Sequence, residues 1–325
     1  MIITRAPFRV SFCGGGSDLP AFYEKYGGCV LSTTIRKYMY LTAHDNFFRD
    51  QIILKYSKTE IVDDPSKIEH RIFKQALLDA KINGIGLTSI ADIPSGTGLG
   101  SSSAFTVALL QLLHTYKGEY VSKYKLAKEA CEMEIEKLGE PIGKQDQFAS
   151  TFGGLNFYEF RPDGFVNVEP VIMPKDSYSK LENNILMYYV GGEHSASEIL
   201  KEQSGNMKKE DKAKTQLKMC DIARTLKDEL QKGNVDAMGE LLHENWMLKK
   251  SLASGIANQK IDDMYDLAMS SGATGGKLLG AGGAGFMIFY VPEDKHTEFR
   301  KNMENHREIE FEMDNSGASI IFIDR

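Results

Sequence analysis

An α+β fold is predicted by three features of the chain: a strand-rich first third, a helix-rich second half, and glycine-rich turns where one pattern gives way to the other. The 325 residues are 42% hydrophobic, enough for one large domain or for two sharing an interface. Residues 2–13 read as an extended apolar segment that stops at Gly14-Gly15-Gly16, with a helix opening near Pro20. Residues 29–35 and 37–43 read as a strand pair, 51–56 as a strand, 66–81 as a helix and 85–90 as a strand. A glycine loop at 94–100 leads into a long apolar helix to about Tyr116. Helices over 123–138 and from about Lys144 follow, then strands at 155–160 and 165–168.

The second half shows helical spacing over 195–203, 208–231, 235–254 and 262–270. A turn-rich stretch at 272–285 then leads to a buried strand at 286–291, and a helix and two short strands close the chain. The polar stretch at 174–184 marks a boundary, giving expected domains of 1–178 and 179–325.

Charge and cysteine content narrow the function. With 39 basic against 45 acidic residues, the net charge of -6 gives no field for nucleic acid or an anionic membrane as main partner. Cys13, Cys29, Cys131 and Cys220 form no CxxC pair and no zinc-spaced cluster, so they read as reduced, mostly buried thiols. The first ten residues lack the long apolar run of a secretory signal, and no stretch reaches the roughly 18 apolar residues of a membrane span. A cytoplasmic protein acting on soluble compounds is expected, with the oligomeric state left open and a homodimer as one option.

The strongest local signal is PSGTGLGSSSA at 94–104. Gly96, Gly98 and Gly100 let the backbone take unusual angles and approach a ligand closely. The helix that follows presents unpaired N–H groups and a partial positive charge, which suits a phosphate. Ser101, Ser102 and Ser103 add hydroxyls. The plainer alternative is a serine-capped turn, and three alternating glycines with three serines weigh against it. No GK[ST] follows, so this is not a Walker A loop. The cluster at 280–285 fits GxGxxG by letter, but a strand follows it rather than a helix, which argues against a dinucleotide site and for close backbone packing beside a ligand.

Glu134 and Asp146 flank a break made by Gly139, Pro141 and Gly143 that can turn both carboxylates toward one pocket. Ser102 and Glu134 are a reasonable Mg²⁺ pair, and Asp146 can orient or deprotonate a hydroxyl. Glu134 shares its helix with Glu129, Glu132 and Glu136, most of which must face water. Arg9, beside buried strand residues, is either a core-edge ion pair or an anion contact. Asp18 either caps the helix near Pro20 or binds sugar hydroxyls, and capping is the plainer choice.

In this order, the segments resemble the GHMP kinases. Ala6-Pro7-Phe8-Arg9-Val10 with Gly14 to Asp18 is similar to that family's first motif, the 94–104 loop to its second, and the segment from Lys277 to Phe286 to its third. The run from Glu134 through Gly139, Pro141 and Gly143 to Asp146 also fits its pattern. The chain departs at Phe8, where the family has glycine, and at Gly14-Gly15-Gly16-Ser17-Asp18, whose glycine-rich form resembles a subgroup of heptose and fucose kinases.

The resemblance implies an N-terminal domain with a left-handed βαβ unit, a ferredoxin-like C-terminal domain and an active site between them. It implies ATP phosphates on Pro94, Gly96, Thr97, Gly98, Leu99, Gly100, Ser101, Ser102 and Ser103, and Mg²⁺ on Ser102 and Glu134. Asp146 would be the catalytic acid residue, supported by Arg9. The implied acceptor is a sugar phosphate, D-glycero-D-manno-heptose 7-phosphate, phosphorylated on its anomeric hydroxyl. Gly14, Gly15, Gly16, Ser17 and Asp18 would meet the sugar, and Gly282 and Gly283 would line the site. Residues 190–197 would border the pocket. Lys144 and His194, with Arg36 and Lys37, are candidates for the acceptor's phosphate. A kinase of fucose or unphosphorylated heptose shares every motif, and a non-catalytic sugar sensor is the remaining alternative.

Overall fold

In the computed structural model, residues 1–48, 50–192, 196–207 and 209–324 are described, by backbone alone at 196 and 197. The first half runs β1 (Ile2–Cys13), α1 (Pro20–Tyr26), β2 (Gly28–Asp45), β3 (Ile52–Lys55), β4 (Thr59–Val62), α2 (Arg71–Ala80), β5 (Ile85–Ala91), α3 (Ser101–Tyr116), α4 (Lys123–Cys131), α5 (Gln145–Phe152), β6 (Asn156–Phe160) and β7 (Val166–Pro170). The second half runs α6 (Lys175–Asn184), β8 (Ile185–Gly191), α7 (Ala196–Asn206), α8 (Glu210–Gln231), α9 (Ala237–Lys250), α10 (Gln259–Ser270), β9 (Gly275–Leu278), β10 (Gly285–Tyr290), α11 (His296–Asn302), β11 (Arg307–Ile309), β12 (Met313–Asp314) and β13 (Ser319–Ile323).

Several elements differ from expectation for local reasons. The strand pair at 29–43 is one strand, β2, running antiparallel to β1 along its length. Its register jumps where Pro7 pairs Tyr38 but Phe8 pairs Ile35, so Arg36 and Lys37 form a bulge that reads as a break in sequence. The helix expected over 66–81 is a short 3₁₀ turn at Pro65–Lys67 followed by α2. The helix over 123–138 is α4 continued by a π-helical turn at Glu132–Lys137. Within the supposed turn at 272–285 lies β9, and three closing strands stand where two were expected.

The larger sheet has the order β13-β1-β2-β5-β3-β4, with β6 and β12 also on β2 and β7 on β6. The smaller sheet, β11-β8-β10-β9, is antiparallel throughout. With α7 to α10 between its first two strands and α11 before its last, it has the ferredoxin-like βαββαβ arrangement. The expected boundary at 178/179 falls inside α6, and β12 and β13 return to the larger sheet.

One hydrophobic core joins both halves, from Phe8 and Val107 to Leu226, Trp246 and Phe289. Helix α3 is buried on nearly all sides, as its uniformly apolar sequence requires. All four cysteines are free and buried. Among the described residues no helix is long and apolar enough to cross a membrane.

Candidate active site

The loop at 94–100 adopts the geometry its glycines permit. Gly98 and Gly100 sit at φ 82° and 74°, a left-handed region costly for other residues. A Cβ on Gly98 would lie 2.6 Å from the Leu279 carbonyl oxygen, and one on Gly280 would lie 2.4 Å from Gly98 Cα. The third glycine motif therefore packs backbone to backbone against the loop, as expected. Thr97 closes the turn by donating its hydroxyl to the Pro94 carbonyl at 2.9 Å. The chain then enters α3, whose opening N–H groups at Ser101 to Ser103 have no intrahelical acceptor.

Strand β1 carries Arg9 to this loop. Its Nε and Nη2 donate to the two carboxylate oxygens of Asp146, each at 2.7 Å, and Nη1 donates to the Gly98 carbonyl. The Arg9 backbone N–H donates to the Leu99 carbonyl at 3.1 Å. A Cβ on Gly100 would sit 3.1 Å from Asp146 Oδ2. Arg9 is therefore an ion pair, the first of its two sequence readings, and also a neighbour of the loop. Asp146, in the first turn of α5, is held in a planar fork against the loop, with lone pairs left on each oxygen.

Glu134 is wholly buried. Its Oε1 accepts from Ser102 Oγ at 2.7 Å, and its Oε2 from Ser103 Oγ at 2.8 Å and Gln147 Nε2 at 2.7 Å. The π-helical turn explains the inward aim: Leu138 N–H reaches back five residues to the Met133 carbonyl, and Met133 and Glu134 both face the interior. Burial pushes the Glu134 carboxyl up from its ordinary value, against the pull of the three donors. A carboxylate and a hydroxyl at a helix N-terminus are hard oxygen donors suited to Mg²⁺. Among the described residues no three His, Cys, Asp or Glu side chains form a metal-binding group. The pair could supply two ligands, leaving the rest to phosphate oxygens and water.

Asp146 and Arg9 open onto a narrow cleft. Asp18, buried on its wall, does not cap α1, where Leu19 holds the N-cap position. Its carboxylate accepts from the N–H of Gly16 at 3.1 Å, the N–H of Gln145 at 3.1 Å and Gln145 Nε2 at 3.0 Å. It thus secures the start of α5, directly before Asp146. Burial, then the nearby Asp146 charge, raises the Asp18 carboxyl above its usual range. Gly15 and Gly16 line the cleft, while Gly14 packs where a Cβ would lie 2.0 Å from the Cys29 carbonyl oxygen.

Other expected contacts point elsewhere. Ser17 Oγ donates to the Cys29 carbonyl and accepts the Cys29 N–H, both at 2.9 Å, which pins the start of β2. Lys144 donates to the Gly164 carbonyl at 3.0 Å and lies over the Tyr23 ring. Gly282 and Gly283 pack on Ile256, and Gly280 and Ala281 form the cleft wall instead. Arg36 and Lys37 pair with Glu312 and Glu310 along a separate depression. His194 lies outside the described residues.

Two buried lysines in the cleft, Lys249 and Lys277, were not anticipated. Lys249 donates to the Gly280 carbonyl and Lys277 to the Ser11 carbonyl. Burial, and then the Arg9 charge, brings Lys249 down to about 8. Burial drives Lys277 well below the ordinary lysine value. Helical spacing held the clue for Lys249: Leu242, Asn245, Trp246 and Lys249 share the buried face of α9. Ser11, Gln145 and Gln203 also line the cleft.

Known proteins resemble the chain over most of its length. Residues 67–154 match the pattern of the GHMP kinases N terminal domain, and residues 226–309 that of the GHMP kinases C terminal. The chain is 30% identical to the D-glycero-alpha-D-manno-heptose 7-phosphate kinase of Campylobacter jejuni, over 94% of each chain. It is 25% identical to the bifunctional fucokinase/GDP-fucose pyrophosphorylase of Arabidopsis thaliana, over 95% of this chain and 32% of that one. A crystal structure of a D-glycero-D-manno-heptose 1-phosphate kinase from Bacteroides thetaiotaomicron superposes with TM-score 0.81 at 25% identity, covering all of both chains.

Proposed function

The chain belongs to the GHMP kinases and is a sugar kinase, and from that premise we propose that it transfers the γ-phosphate of ATP to the anomeric hydroxyl of D-glycero-D-manno-heptose 7-phosphate. The observation that carries this reading is the contact of Arg9 and Asp146 with the loop at Gly98 and Gly100, which sets an acidic side chain beside a phosphate cradle. Residues 1–178 would bind the nucleotide, and 179–325 would complete the acceptor wall through Lys249, Lys277 and Gly280.

ATP supplies the phosphoryl group; Ser102 and Glu134 would hold Mg²⁺, which would offset the charge on the phosphates. The loop from Pro94 to Ser103 would hold the phosphate chain with backbone N–H groups and serine hydroxyls. Arg9 fixes the carboxylate plane of Asp146 and places positive charge at the loop. Asp146 takes the proton of the attacking hydroxyl on a free lone pair, and Asp18 and the Gly15-Gly16 backbone orient the ring.

The test is a panel of acceptors with coupled ADP detection. Heptose 7-phosphate is expected to give the highest kcat/KM, by roughly 10-fold or more over neutral sugars. Fucose as preferred acceptor would replace this substrate with the second reading, which the fucokinase relative favours.

A further inference from the structure

Two charges in the cleft have no ion-pair partner at contact distance among the described residues. Lys249, 5% exposed, forms no ion pair among the described residues, and its only hydrogen-bond partner is the Gly280 carbonyl. Asp18, 2% exposed, is held by N–H groups alone. Three further atoms on the same walls, Ser11 Oγ, Gln145 Oε1 and Gln203 Nε2, are buried and without partners. Unpaired buried polar groups are costly, and an unpaired buried ammonium more so. Together they make a cavity that is acidic on one wall, cationic on another and rich in unsatisfied donors and acceptors. That is the complement of a polyol bearing an anion.

We propose that Lys249 binds a phosphate that the acceptor sugar already carries, while Asp18, Ser11, Gln145 and Gln203 face its hydroxyls. This deepens the sugar kinase reading and rests on it. The other cations are already committed. Arg9 spends Nε and Nη2 on Asp146 and Nη1 on Gly98. Lys277, 1% exposed, lies deeper on the Ser11 carbonyl. Lys249 lines the cleft and, after its bond to Gly280, has two N–H donors left. Residues 94–100 do not line this cleft, which sets Lys249 apart from the loop that would hold the nucleotide's phosphates.

The test compares wild type with K249M and K249Q, using heptose 7-phosphate and unphosphorylated heptose as acceptors. Calorimetric titration of heptose 7-phosphate without nucleotide gives a readout independent of turnover, and thermal melts establish that each variant is folded. The KM for the sugar phosphate is expected to rise roughly 10- to 100-fold, the loss of one charge-assisted contact, with calorimetric affinity falling in parallel. The KM values for the neutral sugar and for ATP should change several-fold less than that for the sugar phosphate. An equal loss on both sugars, or a rise in KM for ATP, overturns the inference and places Lys249 on the transferring phosphoryl. If wild type uses heptose 7-phosphate and the variants keep its KM, this inference alone falls. If wild type neither binds nor phosphorylates heptose 7-phosphate, the proposed substrate falls and this inference with it.

Discussion

At Asp146 both carboxylate oxygens are fixed by Arg9, so substitution tests chemistry with little loss of architecture. Asp146→Asn should lower kcat by roughly 100-fold or more, since the amide cannot accept the proton, while ATP affinity changes little. Near-normal turnover in that variant would remove Asp146 from the mechanism. Lys249 brings a pH dependence. The proposed phosphate contact requires its ammonium, which is lost in the ligand-free protein as pH rises through about 8. The KM for the sugar phosphate should therefore climb above that pH, by about tenfold per unit at the limit. Stability of the ligand-free protein runs the other way. A lysine whose folded value lies below its unfolded one penalises the fold fully under pH 8 and is relieved between 8 and 10.5. K249M should then melt higher than wild type at pH 7, by roughly 1–3 kcal/mol of stability, and lose that pH slope. Asp146, Arg9 and the loop were legible because their chemistry sits in short, ordered motifs. Lys249 was not, because its only sign was a charge on the buried stripe of a helix.

Among the elements, the loop and the π-helical turn carry the sharpest expectations. Gly98→Ala adds a Cβ 2.6 Å from the Leu279 carbonyl oxygen at a left-handed φ. It should cost at least about 1 kcal/mol of stability and raise the KM for ATP more than that for the sugar. An unchanged KM for ATP would detach the loop from the nucleotide. Glu134→Gln keeps the shape but removes the charge, so half-maximal activity should need roughly 10-fold more Mg²⁺ or beyond. An unchanged Mg²⁺ titration would exclude Glu134 as a ligand. Long periodic elements such as β1, α3 and α8 were readable from pattern. The π-helical turn was not, because one inserted residue leaves the surrounding helical spacing almost intact. Strand β8, Ile185–Gly191, was overlooked because it follows the polar α6 without a glycine or proline to announce it. Lys144, Arg36 and Lys37 lie close in sequence to the motifs, but the folded backbone turns each toward a local partner.

For the whole molecule, a shared core predicts a single cooperative transition. Phe8 and Phe289 belong to one buried cluster, and β13 pairs Ile2 with Ile323. Calorimetry should show one unfolding peak, and a fragment of residues 1–178 should fail to fold, since β1 and β2 lose partners that come from the chain's last strands. Two resolved peaks would contradict this. The composition boundary near 174–184 could not reveal that return, because strand pairing across more than three hundred residues leaves no local trace. The contact of Gly98 with Gly280 has a further consequence for redesign. Each is hemmed in by the other's main chain at a positive φ, so neither can grow to let its neighbour shrink, and the spacing between the loop and the third glycine motif is locked there. Anyone seeking to enlarge the substrate range would have to carve other lining residues, such as Ile142 or Leu200, and leave that seam untouched.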